Sequence, residues 1–168
     1  MRVLEYGCGT GLLSFALQSD LGQITLADVS QGMLEVLRQK IASAGVRNMQ
    51  PVRLDLASDP PPEEQYDLTY SLMVLHHIHD VKNVLVKFHD LLVPNGYLLV
   101  ADLDKEDGSF HTDGSTDVHL GFDRNDLQQI VEDTGFGDVR FTTAYEIKKK
   151  IGNEEKGFPI FLMIAQKS

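Results

Sequence analysis

A glycine-rich turn near the start of the chain limits the possible folds more than any other segment. Met1 to Glu5 is a short strand-like run, and the chain then enters Gly7-Cys8-Gly9-Thr10-Gly11. Because glycine has no Cβ, such a segment can turn sharply and can approach a ligand closely with its backbone. The apolar residues from Leu12 to Leu17 then predict a helical face. The opening unit is therefore predicted to be a strand, a turn and a helix.

Strands and helices alternate along the remaining chain. The later predicted strands are Ile24–Ala27, Val52–Leu54, Tyr66–Val74 and Tyr97–Ala101, followed by a hairpin of Val139–Tyr145 and Phe158–Ala165. Predicted helices follow the first, second, fourth and fifth strands, and the rigid connector Pro60–Pro62 joins the third strand to the fourth. Because this alternation needs crossovers that cover both faces of a mostly parallel sheet, we expect a doubly wound, Rossmann-like α/β sandwich. Ligands of such sheets bind beyond the carboxyl ends of the strands.

Composition limits the class of protein. With 168 residues, 42% of them hydrophobic, the chain fits one domain over residues 1–168. Its 25 acidic and 15 basic residues give a formal charge of -10, which would repel a phosphate backbone, so no nucleic-acid partner is expected. The single cysteine and the lack of a signal peptide fit a reducing, cytoplasmic location. No apolar run approaches the ~20 residues of a membrane-spanning helix.

The residues around the glycine turn indicate the charge of its ligand. A dinucleotide-binding turn would have its third glycine at position 12, where this chain has Leu12. Glu5, two residues before Gly7, would repel an anionic pyrophosphate and would attract a cationic group. Tight packing of the turn, without a ligand, stays open as the alternative.

Two further carboxylates follow predicted strands. Asp28 ends the second strand, where it can accept both hydroxyl protons of a ribose; its alternative role is to cap the next helix, for which Ser30 is better suited. Met33 could cover one face of an adenine or could belong to the core. Asp55 ends the third strand and could accept from an adenine amino group, with the N–H of Leu56 beside it; the alternative is an Asx turn.

A ligand with a positive group, a ribose and an adenine but no phosphate matches S-adenosyl-L-methionine. At this point the sequence resembles the class I S-adenosylmethionine-dependent methyltransferases, including small-molecule enzymes similar to those of ubiquinone biosynthesis. The likeness rests on VLEYGCGTG at Val3–Gly11, on Asp28 and Asp55, and on the segments Tyr66–Ile78 and Leu92–Gly96. It implies a seven-stranded sheet in the order 3-2-1-4-5-7-6 with the last strand antiparallel. It also implies methyl transfer to a small-molecule acceptor, with S-adenosyl-L-homocysteine as product.

The resemblance assigns roles to individual residues. It places Glu5 near the methionine ammonium, makes the glycine turn the backbone floor of the site, and assigns Asp28 to the ribose and Asp55 to the adenine. Ser71 and Leu72 match positions that touch the methionine moiety. The expected cofactor-binding residues are Glu5, Gly7, Cys8, Gly9, Thr10, Gly11, Asp28, Val29, Met33, Asp55, Leu56, Ser71 and Leu72.

Histidines follow the fourth strand, near the expected position of methyl transfer. His76 or His77 could accept a proton from the acceptor as it is methylated, and His79 lies nearby. The alternative is a turn-stabilising histidine bonded to the backbone. His111 and His119 could contact the substrate or could be ordinary surface residues. Because no H-x-x-x-H pair with a helical acid is present, no metal site is expected.

Two further expectations concern the surroundings of the site. The polar segment 102–122 is a candidate substrate lid, because loops of this length in compact domains are usually functional or disordered. The first strand begins at Met1, so the helices that precede it in the resembling family are expected to be missing. We therefore expect an apolar groove beside the first strand, covered by a second copy of the chain.

Two alternative functions stay open at this stage. One is a non-catalytic S-adenosylmethionine-binding module or a truncated methyltransferase fragment, which the missing segment would explain. The other is a nicotinamide oxidoreductase, against which Glu5 and Leu12 already argue.

Overall fold

The computed structural model describes residues 1–115 and 117–168, and within them it contains one sheet of seven strands. The strands are β1 (Arg2–Tyr6), β2 (Gln23–Asp28), β3 (Met49–Arg53), β4 (Tyr66–Leu72), β5 (Leu92–Leu103), β6 (Phe136–Ile151) and β7 (Glu154–Lys167). Their order is β3-β2-β1-β4-β5-β7-β6, which confirms the order implied by the resemblance.

The direction of the strands places the candidate site. Strands β1 to β5 pair in parallel, whereas β7 pairs antiparallel with both β5 and β6. The strand order reverses between β1 and β4, and ligands of open α/β sheets bind at the carboxyl ends beside such a reversal. The loops after β1, β2 and β4 therefore surround the expected ligand position.

Four α-helices in the described residues connect these strands. They are α1 (Leu12–Leu17), α2 (Gln31–Ala44), α3 (Val81–Leu91) and α4 (Arg124–Asp133), and a short 3-10 helix covers Leu75–His77. Ser30 caps α2, because its Oγ accepts the N–H of Met33 at 3.3 Å. The alternative role of Asp28 as this cap was therefore wrong. No helix in the described part of the chain is long and apolar enough to cross a membrane.

Helix α1 differs from the predicted apolar face. Leu12 is 80% exposed, and Ser14 is the buried residue of this six-residue helix. The hydroxyl of Ser14 donates to the carboxylate of Glu5 on β1, and this polar contact turns Ser14 toward the sheet and Leu12 toward solvent. Apolar spacing alone could not reveal a buried polar contact.

The helices divide between the two faces of the sheet. Helices α3 and α4 cover one face through a core that includes Leu85, Phe88 and Val131. Helix α2 covers β1 to β3 on the other face through Leu34 and Leu37. Burial of such apolar surface supplies most of the free energy that holds the layers together.

An apolar groove lies on the same face as α1, but none of its described lining residues belongs to β1, so the predicted position beside the first strand was wrong. It runs between α1 and strands β4, β5 and β7 and encloses about 130 Å³. We call it the α1 groove; its lining residues are Leu13, Leu17, Leu21, Leu68, Tyr70, Ser71, Leu72, Leu99, Ala101 and Leu162. Leu72, at its open side, is 43% exposed.

The loop between β5 and α4 begins later than predicted. Strand β5 continues through Asp102 and Leu103, and both residues are buried, so the loop covers residues 104–122. A bridge between Asp104 and Phe122 closes its two ends. Thr116, inside the predicted lid, lies outside the described residues. We call residues 104–122 the β5–α4 loop.

Candidate functional site

A pocket of about 350 Å³ lies at the carboxyl ends of β1, β2 and β4. Its lining residues are Tyr6, Gly7, Asp28, Val29, Met73, Val74 and His77. This volume lies within the range of small-molecule sites. Because the lining residues include a carboxylate but no lysine or arginine among the described residues, the pocket suits a neutral or cationic ligand better than a diphosphate.

The glycines of the turn have different tasks. Gly7, Gly9 and Gly11 all have positive φ values of 76°, 54° and 78°. A Cβ on Gly7 would lie 2.3 Å from Cγ2 of Val74, and one on Gly11 would lie 2.6 Å from Cδ1 of Leu37. A Cβ on Gly9 would meet no atom within 4 Å. Gly7 and Gly11 are therefore required by packing, while Gly9 keeps open space above the turn.

Asp28 is held by two backbone groups. One carboxylate oxygen accepts the N–H of Gly9 at 2.7 Å, and the other accepts the N–H of Ser30 at 2.8 Å. Each carboxylate oxygen has two acceptor sites, so both oxygens can still accept from a ligand. Asp28 thus joins the glycine turn to the start of α2 and faces the pocket.

Glu5 forms a buried polar cluster under the turn. Its carboxylate accepts the hydroxyl of Ser14 and that of Tyr70, the latter at 3.4 Å, and the two hydroxyls lie 2.6 Å apart. Burial raises the pKa of Glu5 to about 6, although the hydrogen bond from Ser14 acts in the opposite direction. A cation near this carboxylate would favour its ionised form.

The side chains of Cys8 and Thr10 lie outside the pocket lining. Burial raises the pKa of the Cys8 thiol to about 12, so this thiol is not a nucleophile at neutral pH. The carbonyl of Thr10 accepts a hydrogen bond from Nζ of Lys40 at 2.7 Å.

Asp55 and Leu56, the residues predicted to bind the adenine, each have a hydrogen bond within the protein. Oδ1 of Asp55 accepts the N–H of Ala57 at 3.0 Å, which is the Asx turn that the sequence left open. The N–H of Leu56 donates to the hydroxyl of Tyr6 at 3.0 Å, so it is not free for a ligand in this conformation. Tyr6 packs edge-on against Phe88, with the ring centroids 5.5 Å apart.

Apolar side chains surround the pocket unequally. Met33 is 47% exposed, so the alternative that placed it in the core was wrong, but it is not among the pocket-lining residues. Val29 is exposed at the pocket wall. Ser71 and Leu72 line the α1 groove and are not among the pocket-lining residues. Their contact with the methionine moiety stays a prediction.

A buried histidine–carboxylate pair lies beside the pocket. His76 is 1% exposed and Asp102 is fully buried, and Nδ1 of His76 lies 2.7 Å from Oδ1 of Asp102. Oδ2 of Asp102 also accepts the backbone N–H of His76 at 3.1 Å. Nε2 of His76 is buried and has no hydrogen-bond partner among the described residues. A carboxylate at Nδ1 favours the tautomer in which Nε2 carries the lone pair.

Two more imidazoles adjoin His76. The ring centroid of His77 lies 4.0 Å from that of His76, and the centroid of His111 lies 5.2 Å from it. Partial burial lowers the pKa of His77, and the neighbouring His76 and His111 lower it further. His77 also lines the pocket, so it joins the cofactor side to the histidine cluster.

Two of the three remaining histidines, His79 and His119, have contacts near the cluster. Nε2 of His119 lies 2.8 Å from the carbonyl of Ile78, and its backbone N–H donates to the carbonyl of His76 at 2.7 Å. The backbone-bonded role considered for His77 therefore belongs to His119. His79 pairs with Asp117 at the surface, with 2.9 Å between Nε2 and Oδ1.

The family of the chain follows from comparison with known proteins. A family model described as a methyltransferase domain matches residues 3–96, more than half of the chain. The chain belongs to this methyltransferase family. The predicted resemblance is thereby confirmed, because the same segment contains the glycine turn, Asp28, Asp55 and the two histidines after β4.

Two relatives show how much of a longer protein the domain covers. An uncharacterized methyltransferase of Schizosaccharomyces pombe is 36% identical over 118 residues, which are 66% of this chain and 42% of that protein. The ubiquinone/menaquinone biosynthesis C-methyltransferase UbiE of Shewanella halifaxensis is 26% identical over 172 residues, which cover 84% of this chain and 68% of UbiE. The domain thus spans less than half the length of the first of these relatives.

Solved structures share the fold at low identity. A putative methyltransferase of Bacillus halodurans matches with a TM-score of 0.79 and 15% identity, over 99% of this chain and 92% of that one. Phosphoethanolamine N-methyltransferase 2 of Haemonchus contortus, solved with S-adenosyl-L-methionine, matches with a TM-score of 0.81 and 16% identity, over 99% of this chain and 48% of that one. At this identity the likeness establishes the fold alone.

Several residues of the methyltransferase domain escaped the sequence analysis. Tyr6, Met73 and Val74 line the pocket, and Met73 has the unusual φ of 58° that permits its position after β4. Asp102 was assigned to the lid. Its place at the end of a predicted parallel strand, the same place that singled out Asp28 and Asp55, was a signal that could have identified it.

Proposed function

We propose that this methyltransferase domain binds S-adenosyl-L-methionine in the pocket beside Asp28 and transfers its methyl group to a small-molecule acceptor. The observation that carries the proposal is the pocket itself. Asp28 lines the pocket, Gly9 leaves open space above the turn, and none of the described pocket-lining residues is basic. These three features suit an adenosyl group with a cationic centre. When bound, the cofactor supplies a methyl group activated on a sulfonium.

The domain's own residues bind and orient the reactants. The Asp28 carboxylate accepts the ribose hydroxyls, and the exposed side chains of Val29 and Met33 cover the adenosyl group. Glu5 attracts the ammonium of the methionine moiety from below the turn. Asp55 reaches the adenine amino group with the oxygen that the Asx turn leaves free, and the Leu56 N–H changes partner from Tyr6 to the ring. Serine and leucine at positions 71 and 72 contact the methionine end.

On the acceptor side, His77 and His76 are the candidate proton acceptors. His77 lines the pocket, and a lowered pKa keeps its imidazole neutral and able to take a proton near neutral pH. His76 is oriented by Asp102, which would also stabilise a protonated imidazole. A base of this kind contributes roughly 10² to 10⁴-fold to the rate only when the acceptor must lose a proton. Positioning of the two reactants supplies the remainder.

The names of the relatives, rather than the pocket, suggest which acceptors to test first. UbiE acts, by its name, in ubiquinone and menaquinone biosynthesis, so phenolic and quinol compounds are the first acceptors to test here.

The β5–α4 loop, with His111 and His119, would cover the acceptor as a lid. A second copy of the chain would cover the α1 groove. The cytoplasmic location and the lack of a nucleic-acid partner stay predictions.

Calorimetry with the purified chain tests the proposal. Titration with S-adenosyl-L-methionine should give one saturable site in the parent, and Asp28→Ala should lower its affinity at least about tenfold because two ribose hydrogen bonds are lost. Asp90→Ala, a matched change at an exposed aspartate of α3, should bind like the parent.

Two further measurements separate the alternatives. A nicotinamide dinucleotide should not raise the melting temperature, whereas S-adenosyl-L-methionine should. Release of S-adenosyl-L-homocysteine with at least one phenolic acceptor distinguishes an enzyme from a binding module. Equal cofactor affinity in Asp28→Ala and the parent would refute the ribose assignment.

A further inference from the structure

The histidine cluster has the composition of a metal site. Histidines 76, 77 and 111 each offer one ring nitrogen, and these nitrogens lie within 4.8 Å of one another. Two of the histidines belong to the 3-10 helix after β4, and the third belongs to the β5–α4 loop. Imidazole is a preferred ligand of zinc, and three histidines with one open position form a known type of zinc coordination.

Unpartnered nitrogen atoms are the second observation. Nε2 of His76 and Nε2 of His111 are both buried without a hydrogen-bond partner among the described residues. Leaving a polar atom unpaired in the interior costs about 1–3 kcal/mol, and such atoms therefore call for an explanation. A cation held between the imidazoles would provide a partner for both nitrogens.

Asp102 supplies the support that metal-bound histidines have. Metal-ligating histidines usually donate their second ring N–H to a carboxylate or carbonyl, which fixes the tautomer and the ring orientation. The 2.7 Å contact between Nδ1 of His76 and Oδ1 of Asp102 has this arrangement and leaves Nε2 free for the metal. The Asp102 carboxylate would also attract the proposed cation, and its buried position strengthens that attraction.

The position of His111 is fixed by its neighbour in the loop. Phe110 is buried and packs edge-on against Phe158, with ring centroids 5.2 Å apart. The carbonyl of Phe110 accepts a hydrogen bond from Nζ of Lys149 at 2.7 Å, and the same ammonium lies 3.8 Å from the centroid of the Phe110 ring. These contacts hold the start of the loop against the hairpin and keep His111 beside His76.

We propose that His76, His77 and His111 bind a divalent zinc ion at the edge of the cofactor pocket, with Asp102 as the supporting carboxylate. Zinc binds imidazole nitrogen at about 2.1 Å, so three ligands lie about 3.4 Å from one another. The exposed His77 ring has the freedom to close the remaining distance. Because His77 also lines the pocket, the open coordination position would face the acceptor, and an acceptor oxygen is a ligand that it would take. This last step rests on the proposed function; the metal site does not. A ring nitrogen bound to zinc cannot also accept a proton, so the proton-acceptor role of His76 and His77 belongs to the chain without zinc.

Calorimetric titration of the chelator-treated full chain with zinc chloride near neutral pH tests the site. The parent should bind one equivalent. His77→Ala and His111→Ala should each lower the affinity at least about tenfold, and Asp102→Asn should lower it about 10- to 100-fold through the orientation of His76. His79→Ala, at the surface pair with Asp117, serves as the control and should bind like the parent.

Folding and specificity are checked in the same samples. His77 is exposed, so its replacement should leave the circular dichroism spectrum unchanged. His111→Gln should lose zinc affinity as His111→Ala does, while its polar side chain leaves a smaller space in the loop than alanine. Cobalt bound to the parent chain should show the visible absorption bands of a four-coordinate ion, and these bands should disappear in His77→Ala. Absence of saturable zinc binding, unchanged affinity in His77→Ala and His111→Ala, or loss only in His79→Ala would overturn the proposal.

The two proposals fail separately. S-adenosyl-L-methionine binding that survives without any zinc binding would overturn the metal site alone. Zinc binding without cofactor binding would overturn the proposed function and leave the metal site in place.

Discussion

The loops after β1 and β2 and the segments after β4 and β5 lie at one edge of the sheet, but different interactions hold them. On the cofactor side the turn is fixed by backbone groups: positive φ at the glycines, and the N–H groups of Gly9 and Ser30 on the Asp28 carboxylate. On the histidine side, side chains fix the segments. The buried contact between His76 and Asp102 holds the segment after β4, and the packing of Phe110 on Phe158 holds the β5–α4 loop.

Because of this difference, we expect the two sides to be sensitive to different kinds of substitution. Backbone conformation is local, so the cofactor side should depend on single positions where no side chain fits. The histidine side depends on side chains that are distant in sequence, because His76 and Asp102 are 26 positions apart. Mutations should therefore affect one side while sparing the other, except at His77, which belongs to both.

The largest effect is expected from a methyl group on the turn. Gly7→Ala would place a Cβ 2.3 Å from Val74 in a left-handed conformation, so the unfolding free energy should fall by about 3 kcal/mol and cofactor binding should be lost. Gly9→Ala, with no atom within 4 Å of its Cβ, should cost only about 1 kcal/mol and still weaken cofactor binding. Chemical denaturation and calorimetry measure both quantities; equal stability losses for the two variants would contradict the distinction.

The next effect should fall on the histidine side alone. Phe110→Ala removes a buried ring that packs against Phe158, so the unfolding free energy should fall by about 3 kcal/mol. Affinity for S-adenosyl-L-methionine should stay unchanged, because Phe110 does not line the cofactor pocket. A large loss of cofactor affinity in this variant would show that the two sides are not separate.

A third prediction concerns pH and the Glu5 carboxyl. Its pKa is raised from 4.5 to about 6 in the folded chain, so folding favours the protonated form. This group's contribution to stability, about 2 kcal/mol, is fully present below pH 4.5 and is lost as the pH rises through about 6. Binding of a cationic ammonium should reverse the preference, so cofactor affinity should rise with pH up to about 6 and then become constant.

Glu5→Gln provides the comparison for this titration. Its cofactor affinity should be weaker and should not change with pH over the same range. A pH dependence that persists in Glu5→Gln would assign the titration to another group.

The smallest effect on stability is expected at the α1 groove. Leu72 is 43% exposed, so Leu72→Ser should change the unfolding free energy by less than about 1 kcal/mol. If a second copy covers the groove, the same change should shift the chain toward monomers in sedimentation measurements. A parent that is monomeric at high concentration would contradict this oligomer.

Local features made the cofactor side predictable from the sequence. The glycine turn, Ser30 as the helix cap and the carboxylates at strand ends are short-range patterns, and the strand order followed from the family resemblance. The Ser14 contact with Glu5 was missed because a serine among apolar residues gives no sign of burial.

Distant contacts made the histidine side harder to predict. The polarity of the segment that follows predicts a loop from Asp102 onward, whereas the structure places Asp102 inside β5. The expectation of no metal site relied on helical spacing, whereas histidines 76, 77 and 111 come from two separate segments that only the fold brings together. A local motif search cannot detect such a group.

A crystal structure of the chain with S-adenosyl-L-methionine tests the proposed cofactor site most directly. The ligand should lie in the pocket at the ends of β1, β2 and β4, with its ribose hydroxyls about 2.7–3.2 Å from the Asp28 carboxylate oxygens. Ligand density elsewhere, or an Asp28 carboxylate that contacts only Gly9 and Ser30 while the ligand is bound, would contradict this cofactor site.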